Sequence, residues 1–295
     1  MKIVYIILAH KLPEQLVRLV RRLSADETSF LVHVDRKTDY AIYRRMTDPL
    51  NSYQNVHFLE RHLCNWGDFG HVEATLDGLR VILEMNLGCD YVILLTGQDY
   101  PIKPNNHIRD YLNASNENSF IEYFALPSDR WKSESGGLDR LTYWHFNWRG
   151  RRFALRKKGE FRYPLLARLW LHLADKPPIR RSLPKSTSVF GGSAYWCLTR
   201  DCIEYVDGFV RKNPRFVNFF RHVLLPEEIF FQTVILNSDF RNRIVNDSLR
   251  YIAWSRSPHP AILSDQDFES LISAPKLFAR KFDMTINSNI LDMID

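Results

Sequence analysis

At 295 residues the chain is long enough for one large α/β domain or two small ones, and its ordinary composition excludes disordered and low-complexity classes. The net charge of +6 points to a polyanionic partner such as a nucleotide diphosphate, a membrane surface or a nucleic acid. The four cysteines (Cys64, Cys89, Cys197, Cys202) form no CxxC pair and no zinc spacing, so buried reduced thiols are expected rather than a disulfide scaffold or a metal site.

Ile3–Leu8 is a continuous apolar, β-branched run, as expected for a parallel strand buried on both faces. Pro13 then opens a helix with Leu16, Leu19, Val20 and Leu23 on one side and arginines on the other. Phe30–Val34 predicts a second strand ending in His33-Val34-Asp35, and Val56–Leu59 a third. A helix is expected over His71–Met85, a fourth strand over Tyr91–Leu95 and a fifth over Phe120–Tyr123. From Ala125 to Lys185 the pattern breaks into an irregular stretch rich in Trp, Arg, Pro and Gly, of the kind that is usually functional. Order returns at Ser188–Thr199, followed by helices over Arg200–Lys212 and Pro226–Leu236 and an extended Leu249–Trp254. Ser264-Asp265 is expected to cap a helix running to Ile272.

Strands alternating with helices predict an α/β fold with a mostly parallel sheet, in which ligands bind beyond the carboxyl ends of the strands. His10, Asp35 and Asp99 each follow a strand, which lets all three face one cleft. No stretch approaches the roughly 18 apolar residues of a membrane span. The most lipid-like piece, Leu165–Ala174, carries Arg168 and His172, so a cytoplasmic protein is expected.

Two constellations carry chemistry. Glu227-Glu228 follows Pro226 at the start of a helix, where paired carboxylates either complement the helix dipole or supply a general base. A sugar hydroxyl is a poor nucleophile at neutral pH, and a carboxylate in hydrogen-bond reach can take its proton. Arg250 and the pair Arg280-Lys281 are the second: either solvated surface charge or compensation for a diphosphate leaving group. Where a metal-holding Asp-x-Asp would follow the second strand, the chain reads Asp35-Arg36-Lys37, and fixed cations can replace the metal. Phosphate loops of the GxxxxGK[ST] and GxGxxG types are missing.

Eight motifs in order resemble one known family. They are Tyr5–Lys11, His33–Lys37, Trp66-Gly67, Leu95–Ile102, Gly192–Tyr195, Leu225–Phe231, Leu249–Tyr251 and Phe278–Asp283. Together they resemble the core-2/I-branching N-acetylglucosaminyltransferases and the peptide O-xylosyltransferases of the same family, along nearly the whole chain. The resemblance implies a GT-A-like nucleotide-diphospho-sugar transferase fold and inverting transfer from a UDP-sugar, with no metal and no other cofactor. It implies Glu228, not Glu227, as catalytic base. It implies His10, Asp35, Trp66, Arg250 and Lys281 around the nucleotide sugar, and Asp99, Glu122, Arg130 and Trp131 on the acceptor side.

Gly192–Tyr195 and Asp129-Arg130-Trp131 resemble the N-acetylglucosaminyl branch, whereas Gly137–Leu141 and Leu224–Glu228 resemble the xylosyl branch. N-acetylglucosamine is the first expectation for the donor sugar and xylose the alternative. Animal members carry an anchor, a stem and several disulfides, so a bacterial, cytoplasmic version is expected here. One domain over 1–295 is expected: a nucleotide-sugar half (1–124), an acceptor-side insertion (125–187), and a catalytic and diphosphate half (188–295). A glycan or lipid-linked glycan is the expected acceptor. Trp144, Phe146, Trp148 and Phe153 interleave with Arg149, Arg151, Arg152, Arg156, Lys157 and Lys158. That composition suits a peripheral membrane contact or, distantly, a nucleic-acid-binding module, for which no motif is present.

Overall fold

The apolar run near the start forms the second-most central kind of strand, hydrogen-bonded on both edges. In the computed structural model, β1 (Ile3–Ala9) pairs in parallel with β2 (Thr28–Val34) on one side and β4 (Tyr91–Thr96) on the other. The structure describes residues 1–133, 135–148, 151–155, 181, 187–254, 257 and 259–295. Leu165–Ala174 and Arg149, Arg156, Lys157 and Lys158 of the basic segment lie outside the described residues.

The main sheet is completed by β3 (Val56–Phe58), β6 (Ser119–Ala125), β9 (Phe190–Thr199) and β10 (Ile244–Val245), in the order β10-β6-β9-β4-β1-β2-β3. All neighbours are parallel except β9, which runs antiparallel to both β4 and β6. The expected mostly parallel α/β sheet is therefore present, with one reversed strand between its halves. β5 (Asp99–Pro101), β11 (Arg250–Ile252) and β12 (Phe278–Arg280) form a small side sheet, and β7 (Trp144–Trp148) with β8 (Arg151–Leu155) an antiparallel pair inside the stretch expected to be irregular.

Alternation along β1 explains the layering, because successive side chains point to opposite faces. Ile3, Tyr5 and Ile7 pack with Leu16, Leu19, Val20 and Leu23 of the helix Pro13–Leu23 and with Phe278 of the side sheet. Val4 and Ile6 pack on the other face against the helices Gly70–Glu84, Arg200–Lys212 and Phe230–Leu236. All four cysteines are buried and free, as expected. Among the described residues no helix is long and apolar enough to cross a membrane.

One helix differs from expectation in a way that matters for the site. Pro226–Leu236 is not continuous: Pro226–Glu228 is a 3-10 turn, Ile229 leaves the helical region at φ −133, and the α-helix begins at Phe230. Leu225 enters that turn in the left-handed region, at φ 51, and its amide donates to the Gly67 carbonyl at 3.1 Å. The two glutamates thus stand ahead of the α-helix rather than in its first turn.

Candidate functional site

The ends of β1 and β2 build one side of the site. The Asp35 amide donates to the Ala9 carbonyl at 2.9 Å, which brings His10 and Asp35 to the same end of the sheet. Asp35 is buried, and its Oδ1 accepts from the Lys37 amide at 2.9 Å and the Cys64 amide at 3.4 Å. Lys37 Nζ donates to the Cys64 carbonyl at 3.0 Å and to Asn65 Oδ1 at 3.1 Å. The Arg61 guanidinium donates to the carbonyls of Val34, Asp35, Arg36 and Thr38 and so moulds the turn.

Lys281 comes to this end from the strand β12. Desolvation lowers its pKa, the nearby cations Lys11 and Arg280 lower it further, and Asp283 opposes them. Lys11 is itself paired with Asp283 at 2.8 Å. The protein packed around His10 holds its pKa below the usual value; Lys11, Lys281 and Lys37 add to this and Asp35 pulls the other way. His10, Lys11, Lys37 and Lys281 thus share one basic patch, and the Lys281 ammonium has no hydrogen-bond partner among the described residues. Mutually repelling cations at the strand ends make a seat for a multiply charged anion.

Arg250 and Asp99 are buried. Arg250 is 4% exposed, and its guanidinium donates to the Leu94 carbonyl at 2.7 Å and the Ser248 carbonyl at 3.2 Å. In the side sheet Arg250 is the register partner of Phe278, over whose ring it lies at 4.4 Å, and its side chain reaches across to β4. Asp99, expected to face an acceptor, is 0% exposed. Its Oδ2 accepts from the Thr96 amide at 2.6 Å and its Oδ1 lies 3.6 Å from Arg280 Nε, so it supports a cation from beneath.

The acceptor-side expectations separate in the same way. Glu122 is half-buried and Arg130 exposed; they lie 3.7 Å apart and line a cavity of about 230 Å³ with Asp247, Arg250 and Lys276. Trp131 is pressed into the protein. A Cβ on Gly191 would lie 2.5 Å from its ring and one on Gly137 2.2 Å, so both positions need glycine for the indole to fit. The Phe124 ring packs edge-on against it at 5.1 Å, and the Arg140 guanidinium lies 3.5 Å from its ring centroid. Trp66, by contrast, is 66% exposed, with Arg152 over its ring at 4.6 Å.

Glu228 meets Arg140 directly: Nη1 donates to Oε2 at 2.6 Å, and the Glu228 side chain keeps 30% of its surface open. Burial raises its pKa and Arg140 lowers it, leaving it above the usual value. Glu227 is the more enclosed carboxyl. Burial pushes it up to about 8, with the neighbouring Glu228 and Asp68 raising it and its own backbone hydrogen bond and Arg140 opposing. Its Oε2 is buried without a partner. The helix-dipole role expected for Glu227 fails, since no α-helix begins there.

One loop joins the two sides. Cys64 and Asn65 bind the Asp35–Lys37 turn, Gly67 binds the backbone just ahead of Pro226–Glu228, and Asp68 acts on Glu227. Arg61, Lys11, Asp283 and Arg140 were not singled out from the sequence. Lys11, Asp283 and Arg140 left a signal there, inside the Tyr5–Lys11, Phe278–Asp283 and Gly137–Leu141 motifs. The chain does hold an Asp-x-Asp, Asp265-Gln266-Asp267, but it forms a 3-10 turn in which Asp267 Oδ2 accepts from the Ser264 amide at 2.8 Å and Asp265 Oδ2 from Asn289 at 2.9 Å.

A seven-stranded, mostly parallel sheet flanked by helices is the architecture of the GT-A-like folds. The chain belongs to the Core-2/I-Branching enzyme family, whose model matches residues 3–271. It is 28% identical over 318 residues to xylosyltransferase 2 of Homo sapiens and 27% over 317 residues to that of Rattus norvegicus, covering 100% of this chain and 33% of each relative. Xylosyltransferase 1 of Pan troglodytes is 27% identical, again over 100% of this chain and 30% of the relative. The chain thus spans about a third of the length of the relatives it matches.

Proposed function

We propose that this chain is an inverting glycosyltransferase that moves a sugar from a UDP-sugar to an acceptor hydroxyl without a divalent metal, with Glu228 as general base. The observation that carries the reading is the loop from Cys64 to Asp68, which holds a basic patch at one end and the Glu228 turn at the other. In this reading His10 and Lys281 hold the diphosphate and Trp66 lies beside the sugar. The acceptor oxygen attacks the anomeric carbon, its proton passes to Glu228, and the bond to the diphosphate breaks with its electron pair leaving on UDP. The patch compensates that negative charge as it develops. Glu122 and Arg130 border the acceptor, a glycan that is free or lipid-linked.

For the donor, the Gly192–Tyr195 motif supports N-acetylglucosamine. The names of the relatives, and the place of Gly137–Leu141 against Glu228, support xylose as the second reading. Mass spectrometry of products from UDP-N-acetylglucosamine and UDP-xylose, each with and without EDTA, tests the proposal. Transfer that survives EDTA is expected. Loss in EDTA with recovery on added manganese would overturn the metal-free mechanism, and UDP release from neither donor would overturn the activity.

A further inference from the structure

Arg140 lies far from Glu228 in sequence yet is tied to it twice. Its guanidinium donates to Glu228 Oε2 at 2.6 Å, and its carbonyl accepts from the Leu224 amide at 3.0 Å, two residues before Pro226. The guanidinium is itself immobilised, lying 3.5 Å from the Trp131 ring centroid. Trp131 reaches that place only because Gly137 and Gly191 lack side chains. Asp139, the residue before Arg140, is anchored by Ser133 Oγ at 2.6 Å and Ser135 Oγ at 2.8 Å. A fork-shaped cation fixed by stacking loses little freedom on binding a carboxylate.

We propose that Arg140 is a positioning residue for the transfer: clamped on Trp131, it fixes Glu228 through Oε2 and keeps it ionised, which leaves Oε1 for the acceptor's proton. This rests on the reading of Glu228 as base. The charged groups facing the Glu227-Glu228 turn are Arg140 and Asp68. With Glu227 protonated near neutral pH, Arg140 and Glu228 form a matched pair, and Oε1 has no hydrogen-bond partner among the described residues. Without the cation, burial would hold a proton on Glu228 and the base would be blocked.

The test is a carbon-13 NMR titration of the glutamate carboxyls in the full chain, with Glu227→Gln and Glu228→Gln assigning the two signals. In Arg140→Met the Glu228 midpoint should move up by about one to two pH units, the size expected for a lost charged hydrogen bond. In Arg140→Lys, which keeps the charge but loses the stacked fork, it should move by less than in Arg140→Met. An unmoved midpoint in folded Arg140→Met would overturn the proposal. If Arg140→Met fails to fold, Arg140→Lys decides it through the acidic limb of the kcat profile with UDP-xylose or UDP-N-acetylglucosamine, whichever is turned over. A limb shifted upward supports the proposal, and a kcat lowered equally at all pH values overturns it. Transfer by Glu228→Gln reads the base assignment separately, since the titration does not depend on it.

Discussion

The two ends of the Cys64–Asp68 loop face opposite electrostatic problems. Around Lys281 several cations crowd together at the strand ends, each disfavouring its neighbours' charge until an anion arrives. Around Glu228 two carboxyls are desolvated by burial, and one arginine opposes the resulting rise in pKa. In the proposed function the first region binds and the second moves a proton. Substitutions in the two should therefore fail in different ways, affinity in one and rate in the other.

The sharpest way to break that contrast is Glu228→Gln, which keeps the size and cannot take the proton. Transfer measured in single turnovers should fall by roughly 10²–10⁴-fold while UDP affinity by calorimetry stays near wild type. An active Glu228→Gln would move the base elsewhere. Lys281→Ala should do the reverse and weaken UDP by about tenfold to a hundredfold, the size of one charged hydrogen bond. Unchanged affinity would place the diphosphate outside the basic patch. Arg250→Ala tests the division from a third side. Its loss frees two buried carbonyls between β4 and the side sheet, so Tm should fall by several degrees, at about 2–4 °C per kcal/mol. A stable variant that has simply lost UDP would return Arg250 to the nucleotide.

The smallest effect on transfer is expected at Glu227. Its folded pKa is raised to about 8 from an ordinary 4.5, so the folded chain holds a proton that the unfolded chain releases between those values. That contribution to stability is present below the unfolded value and is lost as pH rises through about 8. Glu227→Gln removes the dependence: its Tm relative to wild type should climb from pH 5 to pH 8, with most activity kept. A flat difference would mean that Glu227 is already ionised.

How much of this was legible depends on the length of the signal. The helix Arg200–Lys212 is found where its periodicity puts it, and Ile3–Leu8 falls within β1. The break at Ile229 was not legible, since Glu227 to Leu236 reads as one apolar-backed helix and only the left-handed Leu225 forces the tight turn. Of the side sheet only Arg250–Ile252 was legible, within the extended Leu249–Trp254. Asp99–Pro101 and Phe278–Arg280 are too short to show a period, and the three come from distant parts of the chain. Their pairing is what buries Asp99 and Arg250. Glu228 was singled out through its motif, but its arginine is a tertiary partner that no local spacing announces.

The end of β6 is closed by a side chain rather than by a strand. Past the irregularity between Ile121 and Tyr123, the Tyr123 amide donates to Asn246 Oδ1 at 2.8 Å and its carbonyl accepts from Asn246 Nδ2 at 3.0 Å. The amide group thus counterfeits one rung of a ladder, and Glu122 is carried on the residue just before it. Deamidation would change a single group and undo half of that rung: a carboxylate can still accept from the Tyr123 amide but cannot donate to its carbonyl, and it would set a second negative charge beside Asp247. Chemical ageing at one asparagine would then unpin the backbone next to Glu122 while leaving every other group of the cavity chemically intact.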